Sequence, residues 1–337
     1  MTNASNPALP GPPNLLKSLR AGFDAVANHA AVLIIPLILD ILLWLGPHIQ
    51  IKKLLLDMLS AIASSMAANS EQTAALFKDN LDLLSEAAAR INLMTSLRSY
   101  PVGVPSLMAS KLPIEAPGGF PALWETTNLW IIIALLIVLF GVGLGMGSLY
   151  FTLVAQAAIG GGVKWRQALR DWPRAMMQIV SLTLSLRLVL LVISIPTSCV
   201  ISVITWSGLS LGQLAIFVFL GIMLWLGFPL VFTPHGIYAY QHNVLTALRN
   251  SMRVTRLTMP ATSIFFMLLF FIGTGLDILW RIPPEDSWLM LVGVAGHAFI
   301  ASGLLAASFV YFRDADRWAQ ILVSRMTRQA AKNNPLV

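Results

Sequence analysis

Two kinds of residue in this chain have types and spacings that could carry chemistry: a serine in a hydrolase-like setting, and ionisable side chains inside apolar runs. Gly208-Leu209-Ser210-Leu211-Gly212 has the Gly-x-Ser-x-Gly spacing, in which a strained strand-to-helix turn presents a serine nucleophile to a base. His297 is the histidine that an intramembrane hydrolase would have to use with it. Depth works against the pair. Ser210 falls in a short turn between two apolar runs, whereas His297 lies about ten residues inside another, ~15 Å deeper at 1.5 Å per residue. A nucleophile and its base must come within ~3 Å. An intramembrane hydrolase is therefore the weakest of three functional readings.

Charges inside a membrane are costly and mark functional sites by default. Asp40 is about ten residues into the first apolar run, Arg187 lies in the third and Asp277 near the end of the fifth. Asp277 is one turn from Arg281 and is expected to pair with it. Arg187 can snorkel toward the nearer surface. Asp40 is the hardest to explain structurally. It is expected either to pair with Arg187 or to line a polar pathway. His235 and His242 flank the inner end of the fourth run as interface histidines, seven residues apart and without a metal-site spacing. No phosphate-binding loop, His-Glu-x-x-His or Cys-x-x-Cys motif is present, and no cofactor is expected. The single cysteine, Cys199, rules out an intramolecular disulfide.

The elements that must position these residues follow from composition. Of 337 residues, 57% are hydrophobic and 11% charged, against about 25% charged in soluble domains. The apolar runs also reach the ~20 residues that cross a bilayer. The fold expected is an all-α polytopic membrane bundle of about six transmembrane helices. Residues 1–29 hold a disordered lead and a cytoplasmic interfacial helix, and 30–49 the first span, retained rather than cleaved. Residues 50–126 form an extracytoplasmic loop of two helices followed by an irregular stretch, 101–121, rich in proline. Residues 127–312 carry five more spans, at about 129–155, 179–206, 211–232, 261–280 and 288–312. Pro196 should kink the third span, and Pro229 and Pro234 should bend or end the fourth. Residues 313–337 form a cytoplasmic amphipathic tail.

Charge sets the expected orientation. With the N-terminus inside, inner segments hold fourteen Lys and Arg and outer ones seven, six of these in the one long loop. Both termini then lie in the cytoplasm, at the cell membrane. The +7 net charge points to anionic lipid headgroups rather than nucleic acid. Ala168-Leu169-Arg170 and Ala247-Leu248-Arg249, 79 residues apart, echo Ser18-Leu19-Arg20, and each opens a basic stretch running into a span. Arg166, Arg170 and Arg174, and likewise Arg249, Arg253 and Arg256, are candidate headgroup contacts on such stretches. In the second span Gly141, Gly143, Gly145 and Gly147 give overlapping Gly-x-x-x-Gly spacings that let helices approach closely.

Ala247-Leu248-Arg249-Asn250-Ser251 between two spans resembles the polytopic membrane domain attached to some bacterial glycerophosphodiester phosphodiesterases. The stretch from Ser18 to Asp24, through Leu45-Gly46-Pro47, resembles uncharacterised bacterial membrane proteins. The resemblance covers about 127–312 and implies a fold type without an activity, because no part of the sequence resembles the metal-dependent catalytic barrel. Three readings of function follow: a non-enzymatic scaffold or accessory contacting anionic lipid or a protein partner, a small transporter or permease, and the hydrolase.

Overall fold

The computed structural model describes residues 11–67, 81–206 and 212–333. Helix α1 (Leu15–Asn28) starts where the Asn14 side chain accepts the Lys17 N–H at 3.0 Å, satisfying one orphan donor of a first turn. A turn of 3-10 helix, Ala30–Leu33, leads into α2 (Ile34–Leu45). Helix α2 stops at Gly46-Pro47, because Pro47 has no N–H and disfavours the helical region for the residue before it. The strand β1 (His48–Gln50) follows. The first span expected over 30–49 is thus divided differently. The 12 residues of α2 rise only ~18 Å, short of a ~30 Å core. With α1 they meet the length and hydropathy of a crossing only as a bent pair.

Next come α3 (Lys52–Ala67), α4 (Leu81–Arg90), a 3-10 turn (Leu93–Leu97), the short α5 (Met108–Lys111) and β2 (Leu123–Glu125). Strand β2 pairs in parallel with β1, placing His48 opposite Leu123 and Gln50 opposite Glu125. On α4, Leu84 is half-buried and Ala88 buried, and Ile91, just past its end, is exposed. The remainder is long helix: α6 (Leu129–Ile159), α7 (Trp165–Trp206), α8 (Gly212–Gly227), α9 (Thr233–Tyr240), α10 (Val244–Trp280) and α11 (Met290–Asn333). Among the described residues, five segments are long and apolar enough to cross a bilayer, or six with the bent pair. The fold is an all-α bundle compatible with a multi-pass membrane protein. None of the most apolar stretch over Gln213–Tyr240 is buried, and Phe217, Leu224 and Trp225 are at least 67% exposed. In water such a surface would be prohibitive; in hydrocarbon it is the expected solvent-facing side.

The basic stretches meet their spans in different ways. Trp165 to Trp206 is one continuous helix through Pro173 and Pro196, so no helix break divides the stripe of arginines from its span. In α10 the backbone leaves helical geometry at Thr258 (φ −113°, ψ 18°). Pro260, two residues on, lacks the N–H that Arg256 would bond and crowds that turn. The Thr258 hydroxyl donates back to Val254 O at 2.8 Å and meets Thr262 Oγ1 at 2.8 Å, which in turn lies 3.1 Å from the Tyr311 hydroxyl. The kink is therefore tied to α11.

The chain forms two compact units. The first comprises the chain up to His29, Phe151–Phe271 and everything from Gly303 onward. Its core joins Phe232, Val254, Phe265, Ala307, Tyr311 and Phe312, with Phe265 and Tyr311 stacked at 4.2 Å. Helix α1 buries Ser18, Gly22 and Val26, a ladder at one-turn spacing. A Cβ on Gly22 would overlap the Ala307 backbone, and one on Gly303 the Phe23 ring, so α1 lies against α11 in backbone-to-backbone contact. At the end of α8 the expected break occurs. A 3-10 turn runs from Phe228 to Leu230 and α9 starts at Thr233, while the Ser251 hydroxyl donates to Pro229 O and accepts from the Phe232 N–H.

The second unit comprises Ala30–Tyr150 and Ile272–Ser302. Leu39, Leu43 and Trp44 of α2 are at most 1% exposed. A satellite cluster of Ile49, Leu93 and Ile132 sits under the strand pair. His48 is buried beside it, with Nε2 3.1 Å from Leu43 O. Burial disfavours the charged imidazole and lowers its pKa below 6.5, the carbonyl contact opposing this in part. A base whose folded pKa is lowered binds fewer protons folded than unfolded, so it costs no stability above 6.5 and an increasing amount as pH falls below it. Thermal unfolding in detergent should show a lower midpoint at pH 5 than at pH 8, and His48→Gln should flatten that difference. An identical pH dependence in the variant would remove His48 as its source.

Candidate functional site

In the second unit, the segment expected to be a surface loop is its interior. Val102, Val104, Ser106, Leu107 and Met108 are at most 1% exposed, although the chain around them is irregular. The glycines of α6 admit it. A Cβ on Gly143 would overlap the Leu97 carbonyl, and one on Gly147 the Gly103 Cα. These positions lie about 21 and 27 Å along α6 from Leu129. The sequence pattern suggested helix-to-helix packing for this run. Instead Gly143 receives the end of the 3-10 turn at Leu97 and Gly147 the irregular chain at Gly103, Gly145 is buried and a Cβ on Gly141 would meet nothing within 4 Å. The spacing reports close approach but not the conformation of what approaches.

Buried non-helical backbone must find its hydrogen bonds within the protein. Asp40 supplies them. Its carboxyl, fully buried, accepts from the Ser106 hydroxyl, from Met108 N at 2.9 Å and from Leu107 N at 3.1 Å. Ser106 Oγ also accepts the Ala109 N–H at 2.9 Å, Arg98 donates to Ser106 O at 3.4 Å and Ser99 to Val102 O at 2.7 Å. Asp40 is thus satisfied inside the second unit, and its burial needs no arginine from α7. Arg187 is exposed on α7, in the first unit.

The same segment is fastened at its far end. Lys111 Nζ donates to Pro283 O at 2.7 Å and Arg281 O at 3.2 Å, and the Ile114 N–H donates to Glu285 at 2.9 Å. The expected ion pair of Asp277 with Arg281 is present at 2.7 Å. Asp277 also takes His297, whose Nδ1 lies 3.0 Å from its other oxygen, and Arg281 reaches the Ser110 hydroxyl at 2.8 Å. His297 therefore stands as the partner of a carboxylate. Ser210, the nucleophile of the hydrolase reading, lies outside the described residues. Arg98, Ser106, Lys111 and Glu285 were not legible as a set. The one local signal is a serine with an N–H acceptor role three residues on, the capping pattern.

In the first unit, Arg166, Arg170, Arg174, Arg249 and Arg256 are exposed and, among the described residues, make no ion pair. Arg253 differs from the expectation: it binds Asp316 at 3.1 Å and Asn250, because Asp316 on α11 is buried and needs a counter-charge. His235 also departs from the interface reading. It is 5% exposed, with Nε2 2.7 Å from Ser308 Oγ and its ring among Phe232, Phe309 and Phe312. Among the described residues no group of three His, Cys, Asp or Glu could hold a metal. Comparison of the chain with protein-family models, with curated proteins and with solved structures finds no match.

Proposed function

We propose that this chain is a non-enzymatic scaffold or accessory protein of the cell membrane, with both termini in the cytoplasm, that engages anionic lipid headgroups through the basic first turns of α7 and α10. The observation that carries the reading is a division of labour among its charges. The acid most suggestive of transport, Asp40, has its oxygens taken by three donors of its own unit, whereas Arg166, Arg170, Arg174, Arg249 and Arg256 are exposed on the stretches that lead into spans. Each basic residue near an anionic surface contributes about 1 kcal/mol, so five acting together favour anionic over zwitterionic lipid strongly. Protein extracted with its lipids should be enriched in anionic species. Replacing these five arginines by glutamine should lower that enrichment at least tenfold without unfolding the protein. A lipid complement matching the bulk membrane would count against the reading.

A transporter is the second reading, favoured by the irregular segment packed midway along α6, since transporters also place non-helical backbone at membrane depth. Solute flux in proteoliposomes that is lost on loosening that segment would promote it.

A further inference from the structure

Three depressions adjoin the first half of α7, the two larger ones open to the surroundings. Lys164, Arg166 and Arg170 line a basic one of about 680 Å3 at its start. A smaller polar cavity of about 220 Å3, which includes Gln156 and Gln241, shares Gln167 and Asp171 with it. Starting at the next residue, a shallow apolar groove of about 630 Å3, lined by α7 alone, runs from Trp172 past Met176 and Val180 to Ser185. The groove positions repeat at one-turn spacing, so it follows one face of the helix for ~20 Å. That is comparable to the ~15 Å hydrocarbon depth of one leaflet.

From this order we infer that α7 holds one phospholipid of the anionic, hydroxyl-bearing class, phosphatidylglycerol-like in chemistry, with its phosphate at Lys164, Arg166 and Arg170 and one acyl chain in the Trp172–Ser185 groove. The inference rests on the anionic-lipid reading above and sharpens it to a site. Three features converge on this occupant. The positive end of a 42-residue helix and three basic side chains favour an anion. The adjoining cavity, with Gln156, Gln167 and Gln241 on its wall, offers side-chain amides to headgroup hydroxyls. Asp171, on the wall of both cavities, repels a second negative charge and so disfavours a doubly charged phosphomonoester headgroup. The groove then distinguishes a lipid from a free phosphate compound, which has nothing to place there.

The test is native mass spectrometry of the full chain in detergent, titrated separately with dioleoyl phosphatidylglycerol, phosphatidate and phosphatidylcholine. One phosphatidylglycerol should bind at least tenfold more tightly than phosphatidylcholine. Arg166→Gln with Arg170→Gln should weaken it about thirtyfold, and Leu184→Trp, which fills the groove, should weaken it without touching a charge. Asp171→Asn should raise phosphatidate toward phosphatidylglycerol. If the preference survives the Arg166 and Arg170 changes but disappears with Arg249→Gln and Arg256→Gln, the site is overturned while the broader reading stands. Equal binding of all three lipids overturns both. Full competition by soluble glycerol 3-phosphate would overturn the acyl groove.

Discussion

Asp40→Ala is expected to abolish recovery of monodisperse protein from detergent extracts. The substitution leaves the Ser106 hydroxyl and the Leu107 and Met108 N–H groups without their acceptor in a fully buried site. Each stranded donor costs ~1–3 kcal/mol, and a typical domain has only ~5–15 kcal/mol to lose. Asp40→Asn should be milder. Its carbonyl oxygen can still accept from Ser106 and Met108, but its amide meets the Leu107 N–H donor to donor. The measurement is the unfolding midpoint by fluorescence-detected size exclusion, and the expected order is wild type, then Asn, then Ala. An alanine variant as stable as wild type would mean that the 106–108 turn finds other partners, and Asp40 would return as a candidate for transport.

The glycines of α6 should separate by position. Gly143→Ala and Gly147→Ala each drive a methyl into main-chain atoms, of Leu97 and of Gly103, which cannot rotate away as a side chain would. Overpacking of this kind costs about 1–3 kcal/mol, so both should lower the unfolding midpoint and increase protease cleavage within 97–107. Gly141→Ala meets open space and removes a flexible residue from a helix, a change worth up to ~1 kcal/mol in favour of the fold. It should be neutral or stabilising. Equal damage at all three would restore the reading in which the run packs against another helix along the Gly141–Gly145 face.

The apolar runs announced the helices well, because hydropathy is a property of one segment at a time. The five long candidate spans, the break at Pro229 and the Asp277–Arg281 pair all follow from local spacing. Contacts made at a distance did not. The prolines and glycines between 101 and 119 state that the chain is irregular, and irregular chain is ordinarily at the surface. That Val102 to Met108 is interior depends on Asp40 lying sixty-six residues earlier than Ser106 and on Gly143 and Gly147 beyond. Arg253 looked like its neighbours Arg249 and Arg256, and only the position of Asp316 on another helix sets it apart. The same limit applies to α2, whose short length is fixed by Gly46-Pro47 but whose burial is fixed by elements much later in the chain.

The anchoring of Lys111 and Ile114 on residues 281–285 sets a schedule for biogenesis. Their partners lie 170, 172 and 171 residues downstream. At ~5–20 residues per second a ribosome takes roughly ten to thirty seconds to supply them. During that interval Asp40 and the turn at 106–108 have already emerged and can meet, whereas the clasp at Lys111 and Ile114 must wait until α10 is complete. A nascent chain stalled before residue 281 would thus expose a half-fastened hairpin to the insertion machinery and to membrane proteases, and early truncation should be cleared far faster than loss of the C-terminal tail alone.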